Sequence, residues 1–233
     1  NASGTNRECA GAAEEYASMV DKLDRQVGAM VDQVRKLGLD KRTIIIFSSD
    51  NGHELYYRTD KGRGRGPDCH GGVLDGTGEL LDVFRGSRGR VGPNNAMANL
   101  AGLKWTSHEG GIRVPLIISW PGTLPHGKVC HSLVANYDHM ASFADLAGIR
   151  MPEGKDAVSY MDILSGNSSR QRDYVVVDHT VITGDGWKLT QKQNKPFLFH
   201  IGRDPEERNN LAGTRKDQLE KLRAIYRKEV GSL

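Results

Sequence analysis

The sequence predicts an α/β protein that gives way near its end to a small antiparallel sheet covered by one helix. Three observations carry this. Apolar residues recur at steps of three and four between 13 and 37, the spacing of a one-sided helix. Thr43-Ile-Ile-Ile-Phe then runs without polar alternation, as a strand buried on both faces of a parallel sheet does. From about residue 170 the pattern shortens to small β-rich runs separated by turn residues. The division expected from these is an α/β part over 8–150 and a smaller antiparallel-sheet subdomain over 151–233.

The first element is the helix over 13–37. Tyr16, Met19, Val20, Leu23, Val27, Met30, Val31, Val34 and Leu37 form its apolar stripe, and Gly38 stands where a helix ends. Such a stripe predicts packing on a sheet. The strand over 43–49 follows and stops at Asp50-Asn51-Gly52-His53; polar residues at the C-terminal end of a buried strand are where α/β folds hold ligands. Residues 55–103 show no sustained period and contain eleven glycines between Gly62 and Gly102, a long irregular stretch with room for one short helix over 95–100. A second buried strand is expected over 114–120, closed by Pro121-Gly122. Asp138 is placed as the N-cap of a helix running to Ala147, with Met140, Phe143 and Leu146 facing inward and Gly148 ending it. Strands are expected over 174–178, 187–191 and 196–201, with Gly184-Asp185-Gly186 as a hairpin turn and Asp204-Pro205-Glu206-Glu207 as a second turn. A last helix covers 216–230.

Composition narrows the function classes. The chain has 233 residues, enough for a substantial core. Its 32 Lys and Arg against 29 Asp and Glu leave a net charge of +3, which gives no reason to propose bulk nucleic-acid binding. The longest aliphatic run, Ile44-Ile45-Ile46-Phe47, is far too short to span a bilayer. Three cysteines, Cys9, Cys69 and Cys130, are too few for a disulfide scaffold and lack zinc-site spacing. The opening residues show no signal peptide and no initiator Met, so the chain is expected to be a processed or partial product of something longer.

Two segments carry chemistry. Asp50-Asn51 offers a carboxylate and an amide oxygen, the donors that a hard cation such as Ca²⁺ or Mg²⁺ takes, although Asp-Asn-Gly is also an ordinary turn. Lys104 stands five residues before Glu109-Gly110-Gly111, which feeds the second strand, and its ammonium could be aimed at the cation site; Glu109 and Arg113 fit a bracing role.

These segments together resemble the C-terminal half of a type I, formylglycine-dependent arylsulfatase of the alkaline-phosphatase-like superfamily. The residues that carry the likeness are Ser48-Ser49-Asp50-Asn51-Gly52, then Lys104 with Glu109-Gly110-Gly111-Ile112-Arg113-Val114-Pro115, and then Trp120-Pro121-Gly122. The helix over 13–37, Asp138 with Leu146-Ala147-Gly148, and the tail Trp187-Lys188-Leu189 with Asp204-Pro205-Glu206 and Asn210-Leu211 are similar to family elements in the same order. The resemblance implies part of an alkaline-phosphatase-like mixed or parallel sheet with flanking helices. It implies Asp50 and Asn51 as ligands of Ca²⁺ (or Mg²⁺) and Lys104 as the catalytic lysine on a sulfate oxygen near the leaving group. A sulfate ester needs its leaving alkoxide neutralised and its oxygens clamped, and a divalent metal with a lysine does both. Phosphatase-type relatives carry Asp-His here and bind zinc, so Asn51 favours a sulfatase.

The likeness also has gaps. The family nucleophile is a Cys or Ser in Cys/Ser-x-Pro-x-Arg, converted to formylglycine, and no cysteine of this chain has that setting. The expectation is therefore a fragment that is inactive alone, completed by an N-terminal half of the same protein, in a periplasmic or secreted parent acting on a sulfated small molecule or glycan. The long irregular stretch reads either as a solvated insertion or as a basic rim for a polyanion, in the second case with Arg63 and Arg65 as substrate-binding residues because guanidinium grips sulfate oxygens in pairs. His53, next to the metal pair, is a further substrate-binding expectation, whereas His108 stands where the family often has an aromatic residue and is expected to pack. A phosphonate or phosphate ester hydrolase of the same superfamily, or a non-catalytic domain that binds sulfated glycans, remains the alternative.

Overall fold

The computed structural model describes residues 3–52, 58–59, 62–63, 100–101, 104, 106–166, 172–192 and 195–231, with side chains from residue 18 onward except at 58–59, 62–63 and 192. Residues 95–99 of the expected helix over 95–100, and the residues His53 and Arg65, lie outside that set. The described chain forms two compact units. One comprises residues 1–40, 46–118 and 200–210, and the other 41–45, 119–199 and 211–233.

The first unit opens with α1, Ser3–Lys36. It begins ten residues before the expected start at residue 13, because residues 3–12 are polar and small and carry no pattern to mark them. The helix ends as expected: Gly38 has φ +66° and donates to the Arg35 carbonyl, and Leu39 donates to the Val34 carbonyl. The stripe departs from expectation. Met19, Val20, Leu23, Met30 and Leu37 are exposed, and only Val27, Val31 and Val34 are half-buried. No described element covers the N-terminal part of the stripe.

A short 3₁₀ turn, Asp40–Arg42, leads to β1, Ile45–Ser48. β1 pairs with β4, Leu116–Ser119, as a two-stranded sheet. Burial on both faces was the expectation, but β1 is half-buried and β4 exposes Leu116 and Ile117, since two paired strands shield little more than their shared edge. Between them, β2 (Arg58–Thr59) and β3 (Gly62–Arg63) form a minimal antiparallel pair with Arg58 opposite Arg63. α2, Glu109–Ile112, is a single buried turn just before β4.

The second unit contains α3 (Asp138–Leu146), α4 (Met161–Ser165), a four-stranded sheet and α5 (Lys216–Glu229). α3 reverses the expected facing. Met140, Phe143 and Leu146 are exposed, and Asp138, Ala141 and Ser142 are buried, because the polar residues Asp138 and Ser142 are the ones bonded to the segment over 156–160. Nor is Asp138 the cap: Tyr137 holds that position and Asp138 is the first helical residue.

The sheet runs β5 (Tyr174–Val177), β6 (Thr180–Thr183), β7 (Trp187–Lys192), β8 (Lys195–His200) in consecutive order, with β5–β6 and β6–β7 antiparallel. Three of the four strands and the Gly184-Asp185-Gly186 hairpin are where the sequence places them. β6 is the addition: it follows β5 after only Asp178-His179, and Asp178 adopts φ +50° to make that tight reversal. Val181 and Leu189 stand opposite each other in register and are fully buried with Leu198, Leu219, Leu222 and Tyr226. α5 packs on β6 and β7 through Leu219, Leu222 and Tyr226, at the steps of three and four that the sequence shows. The excursion over 200–210, which joins the first unit, returns where Leu211 donates to the Leu198 carbonyl.

Candidate functional site

The end of β1 forms a self-bonded turn. The Asn51 amide donates to Asp50 Oδ1 at 2.9 Å, and Ser49 Oγ donates to the Asn51 carbonyl at 3.0 Å. Asn51 Nδ2 donates to the Gly52 carbonyl at 2.8 Å, so its amide oxygen is the end presented for coordination. Asp50 is exposed and Asn51 half-buried.

This turn docks on the Glu109-Gly110-Gly111 turn. The Gly52 amide donates to the Gly111 carbonyl at 2.8 Å, and a β-carbon at residue 52 would penetrate the Gly110 carbonyl. Gly52 is thus required by close backbone approach rather than by its own dihedrals. The loop below it is held from within. Gly110 donates to the Ala101 carbonyl, Gly111 and Ile112 donate to the His108 carbonyl, and the buried Glu109 carboxylate lies 3.5 Å from the Arg113 guanidinium, the expected brace. Lys104 stands in a turn at the head of this loop, half-buried.

A third segment reaches the same loop. Asp204 accepts from the Arg208 amide at 3.0 Å and the Asn209 amide at 2.9 Å, tightening the turn that starts at Pro205. Glu207, buried and at φ +49°, contacts His108 Nδ1 through Oε2. His108 therefore pairs with a carboxylate instead of merely packing. Nothing in local spacing marks this contact, since the partners are 99 positions apart.

Of the expected site residues, the structure places Asp50, Asn51 and Lys104 in the first unit and ties the Asp50-Asn51 turn to the loop that Lys104 opens. Arg63 is in β3, its side chain outside the described set; His53 and Arg65 lie outside it altogether. Among the described residues no group of three or more His, Cys, Asp or Glu is arranged to hold a metal. Asp50 and Asn51 fit a hard cation by donor chemistry, both being oxygen donors, but supply two of the six to eight oxygens that Ca²⁺ takes.

The second unit holds a different carboxylate. Asp138 accepts from the Val158 amide through Oδ1 and the Ala135 amide through Oδ2, each at 2.9 Å, and pairs with the Arg172 guanidinium. Arg172 also donates to Tyr137 Oη at 3.1 Å and to the Tyr174 carbonyl at 3.3 Å, and lies over the Tyr137 ring. Ser142 Oγ donates to the Asp138 carbonyl at 2.8 Å and accepts from the Tyr160 amide at 3.1 Å. Burial pushes the Tyr137 and Tyr160 phenols above their usual range; Arg172 opposes this at Tyr137 and Ser142 opposes it at Tyr160.

The fold defines the class: this is the alkaline-phosphatase-like α/β architecture of solved sulfatases. A structure from work on the metabolism of multiple glycosaminoglycans by Bacteroides thetaiotaomicron superimposes with TM-score 0.65 at 23% identity, over 88% of this chain and 42% of that one. A structure in complex with its substrate D-glucosamine-2-N,6-O-disulfate does so with TM-score 0.58 at 19% identity, over 91% of this chain and 40% of that one. The Sulfatase family model matches residues 2–149, and the model described as N-sulphoglucosamine sulphohydrolase, C-terminal, matches residues 104–231. The chain belongs to the sulfatase family. It is 25% identical to the N-acetylgalactosamine-6-sulfatase of Sus scrofa over 90% of its own length and 41% of that protein's. It thus spans about two fifths of the length of such relatives.

Proposed function

We propose that this chain supplies the metal-and-lysine side of a sulfatase active site that hydrolyses sulfate esters on a sugar or glycan. The observation that carries the reading is the docking of Asp50-Asn51-Gly52 on Gly110-Gly111, within a chain of this family. That contact fixes two oxygen donors relative to the loop that Lys104 opens. Asp50 and Asn51 would hold Ca²⁺ or Mg²⁺, which when bound supplies positive charge beside the sulfate oxygens. Lys104 binds a sulfate oxygen and offsets charge developing on the leaving oxygen. His53, Arg63 and Arg65 extend the substrate contact. A sugar substrate is supported by the names of the relatives, among them N-acetylgalactosamine-6-sulfatase.

The nucleophile in this proposal is a formylglycine outside these 233 residues, because no Cys or Ser here stands in Cys/Ser-x-Pro-x-Arg. The remaining cation ligands also come from outside, and the complete protein acts in the periplasm or after secretion. The test is hydrolysis of an aryl sulfate and of sulfated N-acetylgalactosamine. The chain alone should show no turnover. The complete protein should turn over and lose at least about a thousandfold with Asp50→Ala or Lys104→Ala, since groups acting as one unit fail together. Full activity in either variant, or turnover by the chain alone that disappears with Lys104→Ala, overturns the reading.

A further inference from the structure

We infer that Glu207 is a positioning residue for the sulfatase site, acting through His108 on the loop that carries Lys104 and on the cation-binding turn docked against it; the inference rests on the reading just given. The geometry is a chain of contacts within one unit. Glu207 grips His108 from the far end of the sequence. His108 is the residue whose carbonyl accepts from both Gly111 and Ile112, so its placement sets the start of α2. Gly111 in turn accepts from Gly52, which follows Asp50 and Asn51 directly. A shift of His108 is therefore passed through two backbone hydrogen bonds to the cation donors. The same turn makes a second hold on the loop, where Ala101 donates to the Pro205 carbonyl while accepting from Gly110.

Three features separate this contact from an incidental ion pair. The Glu207 side chain is 0% exposed and that of His108 17%, so water does not screen the pair as it does at a surface. Glu207 also keeps a side chain at φ +49°, a backbone region in which glycine would stand without steric cost. Finally, the turn bearing it is braced by both oxygens of Asp204, so Glu207 projects from a rigid base. A side chain held at such a dihedral, on a braced turn, and buried against one imidazole is suited to fixing position. It is a positioning residue, because it acts on the site through its contact with His108.

The experiment has two independent arms. In the first, amide hydrogen exchange is followed in the 233-residue chain for wild type, Glu207→Ala, Glu207→Gly, His108→Ala and the double variant His108→Ala/Glu207→Ala. Exchange at Gly52, Gly110 and Gly111 should accelerate about tenfold or more in each single variant, and the double variant should be no faster than the singles, as for residues that act through one contact. Val181 and Leu189 in the other unit should keep their protection. Glu207→Gly relieves the backbone dihedral, so it separates lost contact from lost stability: its local exchange should rise even if the chain becomes no less stable. Unchanged exchange at Gly52, additive effects in the double variant, or equal acceleration at Val181 overturns the inference.

In the second arm, the complete sulfatase carrying Glu207→Gln, which keeps shape and removes charge, should lose about tenfold to a hundredfold in kcat with KM little altered, the signature of misplaced groups. If Asp50→Ala and Lys104→Ala abolish turnover and Glu207→Gln leaves kcat intact, the positioning role is wrong while the site stands. If those two variants are active, the site reading fails whatever the exchange arm shows.

Discussion

Asp50 and Asp138 are both aspartates at the ends of secondary structure, yet they use their oxygens in opposite ways. Asp138 is buried and gives both oxygens to protein: two backbone amides and the Arg172 guanidinium. Asp50 is exposed, and its described bonds are to its own turn, from the Asn51 amide and more distantly from Ser49. The contrast shows how a carboxylate's place in a fold separates architecture from chemistry. One whose hydrogen-bonding capacity is filled from within holds the chain together and has nothing left to offer a ligand. One whose turn is held by backbone contacts, here Gly52 on Gly111, can present oxygen outward without the fold depending on it.

That contrast can be broken most severely at Asp138. Asp138→Ala leaves Arg172 buried without its counter-charge and strips acceptors from two amides, so unfolding free energy should fall by about 3–5 kcal/mol. Denaturant titration measures it, and Asp50→Ala, its counterpart, should stay within about 0.5 kcal/mol of wild type. Equal losses in the two variants would erase the distinction. A smaller effect is expected from Gly52→Ala, whose β-carbon meets the Gly110 carbonyl: about 1–3 kcal/mol of strain or of undocking, seen as lost protection of the Gly52 amide. The smallest effect is in the alkaline limb. The folded-state phenols of Tyr137 and Tyr160 are raised, so the folded chain holds its protons longer than the unfolded one. Stability from this source is complete below about pH 10, the unfolded phenol range, and declines as pH rises toward the folded values. Tyr160→Phe should flatten that decline in thermal unfolding above about pH 10.

Much of this was legible in the chain because local pattern and tertiary role agree. α5 buries Leu219, Leu222 and Tyr226, the residues its periodicity selects. The Asp50-Asn51-Gly52 and Glu109-Gly110-Gly111 turns were readable from their polar and glycine-rich motifs beside the two apolar strands, but the close approach that demands Gly52 was not. Other features left no trace. β6 depends on Asp178 accepting a left-handed backbone, which neighbouring residues do not announce. The facing of α3 was misread because Asp138 and Ser142, polar by composition, are inside through bonds to a segment some twenty residues away, while Phe143 is outside. In α1 the stripe is real but only Val27, Val31 and Val34 are half-buried along it, so periodicity named the face and not how much of it is covered. The His108–Glu207 contact spans most of the second unit's sequence, beyond the reach of any spacing rule.

That last contact also sets an order of events at the ribosome. The chain passes between its two units five times, and the segment that grips His108 is the final visit to the first unit. With the partners 99 positions apart, and elongation at about 5–20 residues per second, the lysine-bearing loop exists for roughly 5–20 seconds before Glu207 is made. During that interval the β1–β4 pairing can form but the loop cannot be fastened. The Asp50-Asn51 turn thus reaches its final geometry only after Glu207 has been made.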